Sequence, residues 1–284
     1  MTTREPEHRH WHVNALEVAG LSWGDPGARP VLALHGWLDN AASFSMLAPL
    51  LPDHHVVAVD LTGQGQSDWR SANGTYQIWD DLPELLGILY ALGWEEFDLI
   101  GHSRGAIIAT LLAATLPERV GRLVLLDAIT PAPVEEAAFA DQLRRFLEDK
   151  QRLQNRQNRV YPTIEEAVAS RRQRGLSAAA AKVLAERNLR PCAGGFTWTT
   201  DPRLQGASAV KLTAGQIQAV LERLAMPTLL LLAEEGIGHA SEAADLARRH
   251  VRDLEVASIA GGHHFHMEQG VTELAGRIRR FLQG

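Results

Sequence analysis

A chain of 284 residues, 45% hydrophobic and 22% charged, has the balance of one large globular domain, or a domain with an insertion, able to bury about 70–75% of its unfolded surface. Its 28 Lys and Arg against 34 Asp and Glu leave a net charge of −6, which is no electrostatic match for nucleic acid. The single Cys192 excludes an intrachain disulfide, the polar His-rich start argues against a signal peptide, and the longest apolar run, 106–116, is too short to span a bilayer, so a cytoplasmic protein is expected.

Residues 10–23 alternate and carry Gly20, Gly24 and Pro26 at their end, which predicts one or two antiparallel strands. The unbroken apolar run 31–34, stopped by Gly36, has the pattern of a strand buried on both faces. Helical spacing over 41–51 is followed by a second buried strand at 55–59 that ends on Asp60. A loop with Gly63 and Gly65 leads to a helix predicted over 76–92 and closed by Gly93. A third strand, 97–100, runs through Gly101-His102-Ser103-Arg104-Gly105 into a helix over 106–116, and 123–126 is a fourth strand. Strands return at 228–232 and 254–259 before a closing helix over 271–282.

That alternation predicts a mostly parallel central sheet with helices on both faces and a ligand site at the strands' C-terminal edge. One stretch breaks the rhythm. From 131 to 225 no strand is predicted, only helical segments such as 141–159, 164–174 and the Ala-rich 178–181. The division expected is a core of 1–130 and 226–284 with 131–225 inserted as a helical cap. Residues 141–190 carry twelve Lys and Arg against six Asp and Glu. Their charge fits a solvated helical face, or else a lid that attracts anionic substrates or interfaces.

The segment 101–105 matches G-x-S-x-G directly after a strand and before a helix, where that spacing has chemical meaning. A tight turn there exposes the Ser103 hydroxyl, and the helix N-terminus favours negative charge. Serine is a poor nucleophile without a base. Of twelve histidines, His263 follows the last strand and precedes the last helix, which returns it to the same sheet edge. His264 and His266 read as structural or rim residues, and no metal site is expected because no carboxylate or Cys cluster has ligand spacing. Trp37, after the first buried strand, would give its backbone N–H with that of Arg104 to an oxyanion hole. Its indole also fits a wall of the acyl pocket.

With these residues in place the sequence resembles the α/β-hydrolase family over nearly its whole length. The matching pieces are His35-Gly36-Trp37, the loop from Asp60 to Ser67, the turn around Ser103, and Gly262-His263 with Glu268 beyond. The strings 35–44 (HGWLDNAASF), 161–177 (YPTIEEAVASRRQRGLS), 196–204 (FTWTTDPRL) and 261–268 (GGHHFHME) resemble its serine-hydrolase-like branch. The resemblance implies an α/β-hydrolase fold with a helical cap and a serine-dependent hydrolase of undefined substrate. Thr62 and Gln64 depart from the family, whose loop usually has Pro and His there.

The family's usual acid lies just after the strand at 228–232, where this chain has Gly236. Asp127, at the end of the fourth strand, resembles the relocated acid of haloalkane dehalogenases and is the first candidate. Glu235, one residue early and one methylene longer, is the alternative. A dehalogenase reaction is disfavoured because Ser103 stands at the nucleophile. The expected function is hydrolysis of small carboxylic esters by Ser103, His263 and Asp127 through an acyl-enzyme, without cofactor or metal. Amide, thioester or carbon–carbon bonds, or peracid chemistry, are alternatives with the same triad, and a non-catalytic ligand-binding protein is another. Trp79, Phe139, Phe146 and Trp198 are candidates for the acyl pocket or for plain core packing. Homo-oligomerisation stays open.

Overall fold

The computed structural model describes residues 5–172, 176–237, 239–268 and 270–284. An antiparallel hairpin, β1 (Glu7–Val13) and β2 (Leu16–Trp23), opens the chain. The parallel part follows: β3 (Arg29–Leu34), β4 (His54–Val59), α1 (Leu82–Leu92), β5 (Phe97–His102), α2 (Arg104–Thr115) and β6 (Val120–Leu126). After an excursion of the chain, β10 (Thr228–Glu235), α7 (His239–His250), β11 (Leu254–Gly262) and α8 (Val271–Gln283) complete it. The excursion holds α3 (Phe139–Leu153), β7 (Val160–Tyr161), α4 (Ile164–Arg172), α5 (Ala178–Asn188), β8 (Leu189–Cys192), β9 (Gly195–Trp198) and α6 (Ala214–Leu221).

The large sheet has the order β1-β2-β4-β3-β5-β6-β10-β11, antiparallel through β4 and parallel from there on. Its central strands read as unbroken apolar runs because both faces are covered. Leu32, Leu34, Val57, Val59, Leu99, Leu123 and Leu125 face one core with α1, α2, α6 and α7. Their neighbours Val31, Ala33, Val56, Ala58, Ile100, Val124 and Leu126 face the other, with Phe44 and α8. The chain passes from β4, on one side of β3, to β5 on the other. That reversal opens a crevice at the C-terminal strand ends.

Three expectations are corrected. The excursion is not all helical: β7, β9 and β8 form a small antiparallel sheet. Strands of two and four residues, one containing Pro191, are too short to show a period of two. The helix expected over 76–92 starts only at Leu82, because Pro83 favours a first-turn position and the preceding carbonyls of Tyr76 and Gln77 go to the Arg104 guanidinium. The helix expected over 41–51 is two short 3-10 turns, Ala41–Phe44 and Ala48–Leu50, the second with Pro49 at its start. The end expected for α4 at Arg174 lies outside the described residues.

Candidate active site

Ser103 sits between β5 and α2 with φ 52° and ψ −120°, a backbone conformation that costs a non-glycine residue about 1–3 kcal/mol. The turn is held from three sides. The Ser103 N–H donates to the Leu126 carbonyl at 2.9 Å, and its own carbonyl accepts from the amides of Ala106 and Ile107. A Cβ at Gly101 would lie 2.5 Å from the Ala106 Cα, and one at Gly105 would lie 2.1 Å from the Leu34 carbonyl oxygen. Both glycines are therefore required by close backbone approach. Arg104 is the first residue of α2, so its N–H has no carbonyl within the helix to bond. Its side chain turns away to Asp81 at 3.2 Å and to the carbonyls before α1.

Ser103 lines a cavity of about 250 Å³ with Gly36, Trp37, Asp39, His102, Arg171, Leu176, Ile237, His263 and His264. Trp37 projects from the loop after β3, 46% exposed, and its indole N–H donates to the Leu204 carbonyl at 3.0 Å. With the indole engaged there, the backbone is what Trp37 can offer to a reacting group. That loop is braced from below. The His35 Nδ1–H donates to the Gly36 carbonyl and its Nε2 accepts from the Leu61 amide, at 2.8 and 2.9 Å. Leu38, at φ 62°, gives its N–H to the Gln64 Oε1 at 2.6 Å, so the residue that departs from the family's loop serves as a brace.

His263 follows β11, and its Nδ1–H donates to the Asp127 Oδ2 at 2.6 Å. Asp127, 1% exposed and at φ 54°, also accepts from the Ala233 amide at 3.0 Å and the Ile237 amide at 3.1 Å. The structure thus brings His263 to Asp127. Glu235 stands at the exposed end of β10. Gly236 explains the arrangement, because a Cβ there would lie 2.4 Å from both Asp127 carboxylate oxygens. The carboxylate arriving from β6 fills the space that a side chain on residue 236 would take.

One wall of the cavity is a polar layer that sequence reasoning missed. His102 is fully buried and its Nε2–H donates to the His263 carbonyl at 2.8 Å, which ties the loop after β11 to β5. Burial and the neighbouring histidines hold its pKa well below the usual imidazole value. Asp39 accepts from Arg171 of α4 at 2.8 Å and from the His264 Nε2–H at 3.2 Å. Burial alone would raise the Asp39 carboxyl, but His264 and Arg171 hold it well below the usual range. The one available signal was position. Strand alternation turns His102 away from the side chains flanking it.

The four aromatic candidates for an acyl pocket lie elsewhere. Phe146 and Trp79 line two other surface grooves, Phe139 is 52% exposed, and Trp198 packs edge-on against Tyr161. The apolar wall beside Ser103 comes instead from Leu176, Ile237 and Trp37. Among the described residues no helix is long and apolar enough to cross a membrane.

Comparison with known proteins agrees with this architecture. The family described as alpha/beta hydrolase fold matches residues 29–269. A serine hydrolase-like protein of Danio rerio is 32% identical over 280 residues, covering 94% of this chain and 85% of that relative. A probable serine hydrolase of Drosophila melanogaster is 29% identical, over 92% and 83%. Among solved structures, a hypothetical protein of Pseudomonas aeruginosa superposes with TM-score 0.88 at 37% identity, covering 98% of both chains. A thioesterase domain from the curacin biosynthetic pathway superposes with TM-score 0.84 at 26% identity, over 96% and 98%. With the turn at Ser103, the parallel sheet beneath it and these relatives together, the chain belongs to the α/β-hydrolase family, in its serine hydrolase-like branch.

Proposed function

We propose that this hydrolase cleaves small carboxylic esters with Ser103 as nucleophile, His263 as general base and Asp127 as its orienting acid. The observation that carries the reading is the 2.6 Å hydrogen bond to Asp127 from the Nδ1 of His263, which lines the same cavity as Ser103. It fixes the tautomer, so Nε2 is the nitrogen that takes the Ser103 proton as Oγ attacks the carbonyl carbon. The oxyanion receives hydrogen bonds from the Trp37 and Arg104 amides, a contribution worth about 3–4 kcal/mol per donor in acyl transfer. Collapse expels the alcohol, which takes the proton from His263 and leaves Ser103 acylated. Water then attacks the acyl carbon with His263 as base, and Ser103 regains its proton.

Thioesters are a second reading, favoured by the likeness to the curacin pathway's thioesterase domain. The two share every step and differ in the leaving group. A fluorophosphonate probe tests the common part, because only an activated serine reacts. Labelling is expected in wild type and lost in Ser103→Ala, and absence of labelling in folded wild type overturns the proposal. Turnover of matched esters and thioesters then decides the substrate. Asp127→Asn is expected to lower kcat by about ten-thousandfold by disturbing the tautomer, while Glu235→Gln leaves it unchanged. The reverse outcome would move the acid to Glu235.

A further inference from the structure

Acyl transfer leaves a second set of groups in this cavity without a chemical task. Asp39, His102 and His264 each offer one ligand atom, and these atoms all lie within 4.8 Å of one another. His264 Nε2 is 3.2 Å and His102 Nδ1 is 3.9 Å from the same carboxylate oxygen, Asp39 Oδ2. The His102 ring is wholly buried, and its Nε2–H is already given to the His263 carbonyl. Its Nδ1 has no hydrogen-bond partner among the described residues. A neutral ring bonded in this way presents Nδ1 as a lone pair, directed toward a carboxylate that is also only an acceptor.

A cation satisfies both buried acceptors once His264, whose Nε2–H now bonds Oδ2, takes its other neutral tautomer with the proton on Nδ1 and offers Nε2 as the third ligand. Gly36 keeps the approach open, since a Cβ there would lie 2.9 Å from Nδ1 and 3.1 Å from Oδ2. Tetrahedral coordination at metal–ligand lengths of about 2.0–2.1 Å sets ligands about 3.3–3.4 Å apart, so the two measured spacings need only sub-ångström adjustment. The donor set also selects the ion. Two imidazoles and one carboxylate suit Zn²⁺ and its neighbours, whereas Ca²⁺ and Mg²⁺ demand oxygen ligands. Arg171 binds the other carboxylate oxygen at 2.8 Å, which turns Oδ2 toward the rings. Its charge weighs against hard cations that bind by electrostatics alone.

We propose that Asp39, His102 and His264 form a binding site for a divalent transition-metal ion such as Zn²⁺, and that the bound ion inhibits the hydrolase. Asp39, His102 and His264 line the same cavity as Ser103, so an ion with its remaining water ligand occupies space the substrate acyl group needs. The inhibitory half rests on the serine-hydrolase reading, and the binding half does not.

Binding is read directly by titrating chelator-treated full-length protein with Co²⁺ and following the visible absorption of the tetrahedral ion, with Zn²⁺ as competitor. One ion per chain is expected, in wild type and in Ser103→Ala alike. His264→Gln, which keeps a donor to Asp39, and independently Gly36→Ala are each expected to weaken binding at least about tenfold. Zn²⁺ should inhibit ester turnover with the midpoint of its own binding. Unchanged binding in both folded variants overturns the site. So does loss of the signal when the exposed His8, His10 and His12 are replaced by Ala, which would assign the ion to β1 instead. Intact binding in a protein with no turnover on any ester or thioester would retain the metal site and refute the hydrolase reading.

Discussion

Asp127 and Gly236 act as a single unit although 109 positions separate them in the numbering. The carboxylate takes its place from the Ala233 amide within β10 and the Ile237 amide just after it, and it fits only because residue 236 has no side chain. Gly236→Ala therefore forces Asp127 off the His263 ring. With Asp127 as the proposed orienting acid, a displacement of about 1 Å is worth about a hundredfold in rate, so kcat is expected to fall at least that far while circular dichroism stays unchanged. The converse change is also informative. In Asp127→Ala, the added substitution Gly236→Asp returns a carboxylate to the vacated volume, and kcat of the double variant is expected to exceed that of Asp127→Ala. Equal turnover of the two would show that the loop after β10 cannot hold the acid. Ser103 and His263 were legible because each sits where a strand passes into a loop or helix with a recognisable string around it. Asp127 was legible only through the missing acid. His102 and Asp39 were not, because a buried histidine and an aspartate in a loop carry no local pattern until the fold sets their neighbours.

At the level of elements, the basic excursion is fastened to the acidic core through buried ion pairs. Arg187 at the end of α5 meets Asp60 at the end of β4 at 2.8 Å, with both side chains almost fully buried. Asp60 also accepts from the amides of Ala41 and Gln66, and Gly65 is pressed against its carboxylate, so this loop is organised around one negative charge. Arg171 of α4 reaches Asp39 in the same way. Arginines that in the sequence fit a solvated face or an anion-attracting lid thus include two that turn inward, and net charge alone could not show their direction. Removing one partner leaves the other buried and uncompensated. Arg187→Ala is expected to lower unfolding stability by about 3–5 kcal/mol, and Arg187→Ala combined with Asp60→Asn by less. Urea denaturation of the single and double variants measures this, and additive losses would mean the two residues are not coupled. The central strands were legible because burial on both faces writes itself as uninterrupted Val, Leu and Ala. The short sheet β7-β9-β8 was not, because strands of two and four residues are too short to show alternation, and β7 pairs with β9 from more than thirty positions away.

Over the whole molecule, histidines couple stability to pH more strongly than the modest net charge suggests. His35 and His266 are fully buried, and burial lowers the pKa of each below the usual imidazole value, His266 far below it. In the unfolded chain both rings return to about 6.5. Between the folded and unfolded values the unfolded state binds more protons, so stability rises with pH in that window and falls as acid is added below about pH 6.5. Each such ring contributes a slope of up to about 1.4 kcal/mol per pH unit. His266 tests the effect, since neither ring nitrogen has a hydrogen-bond partner among the described residues and its ring packs 4.1 Å from that of His102 and 5.7 Å from that of Phe44. His266→Leu removes the titrating group while preserving approximate volume. Its unfolding free energy should therefore decline less steeply than wild type from pH 6.5 to 5, with the two proteins diverging as the pH drops. Parallel stability curves for the two proteins would show that His266 is protonated equally in both states, and that the acid sensitivity originates elsewhere in the chain.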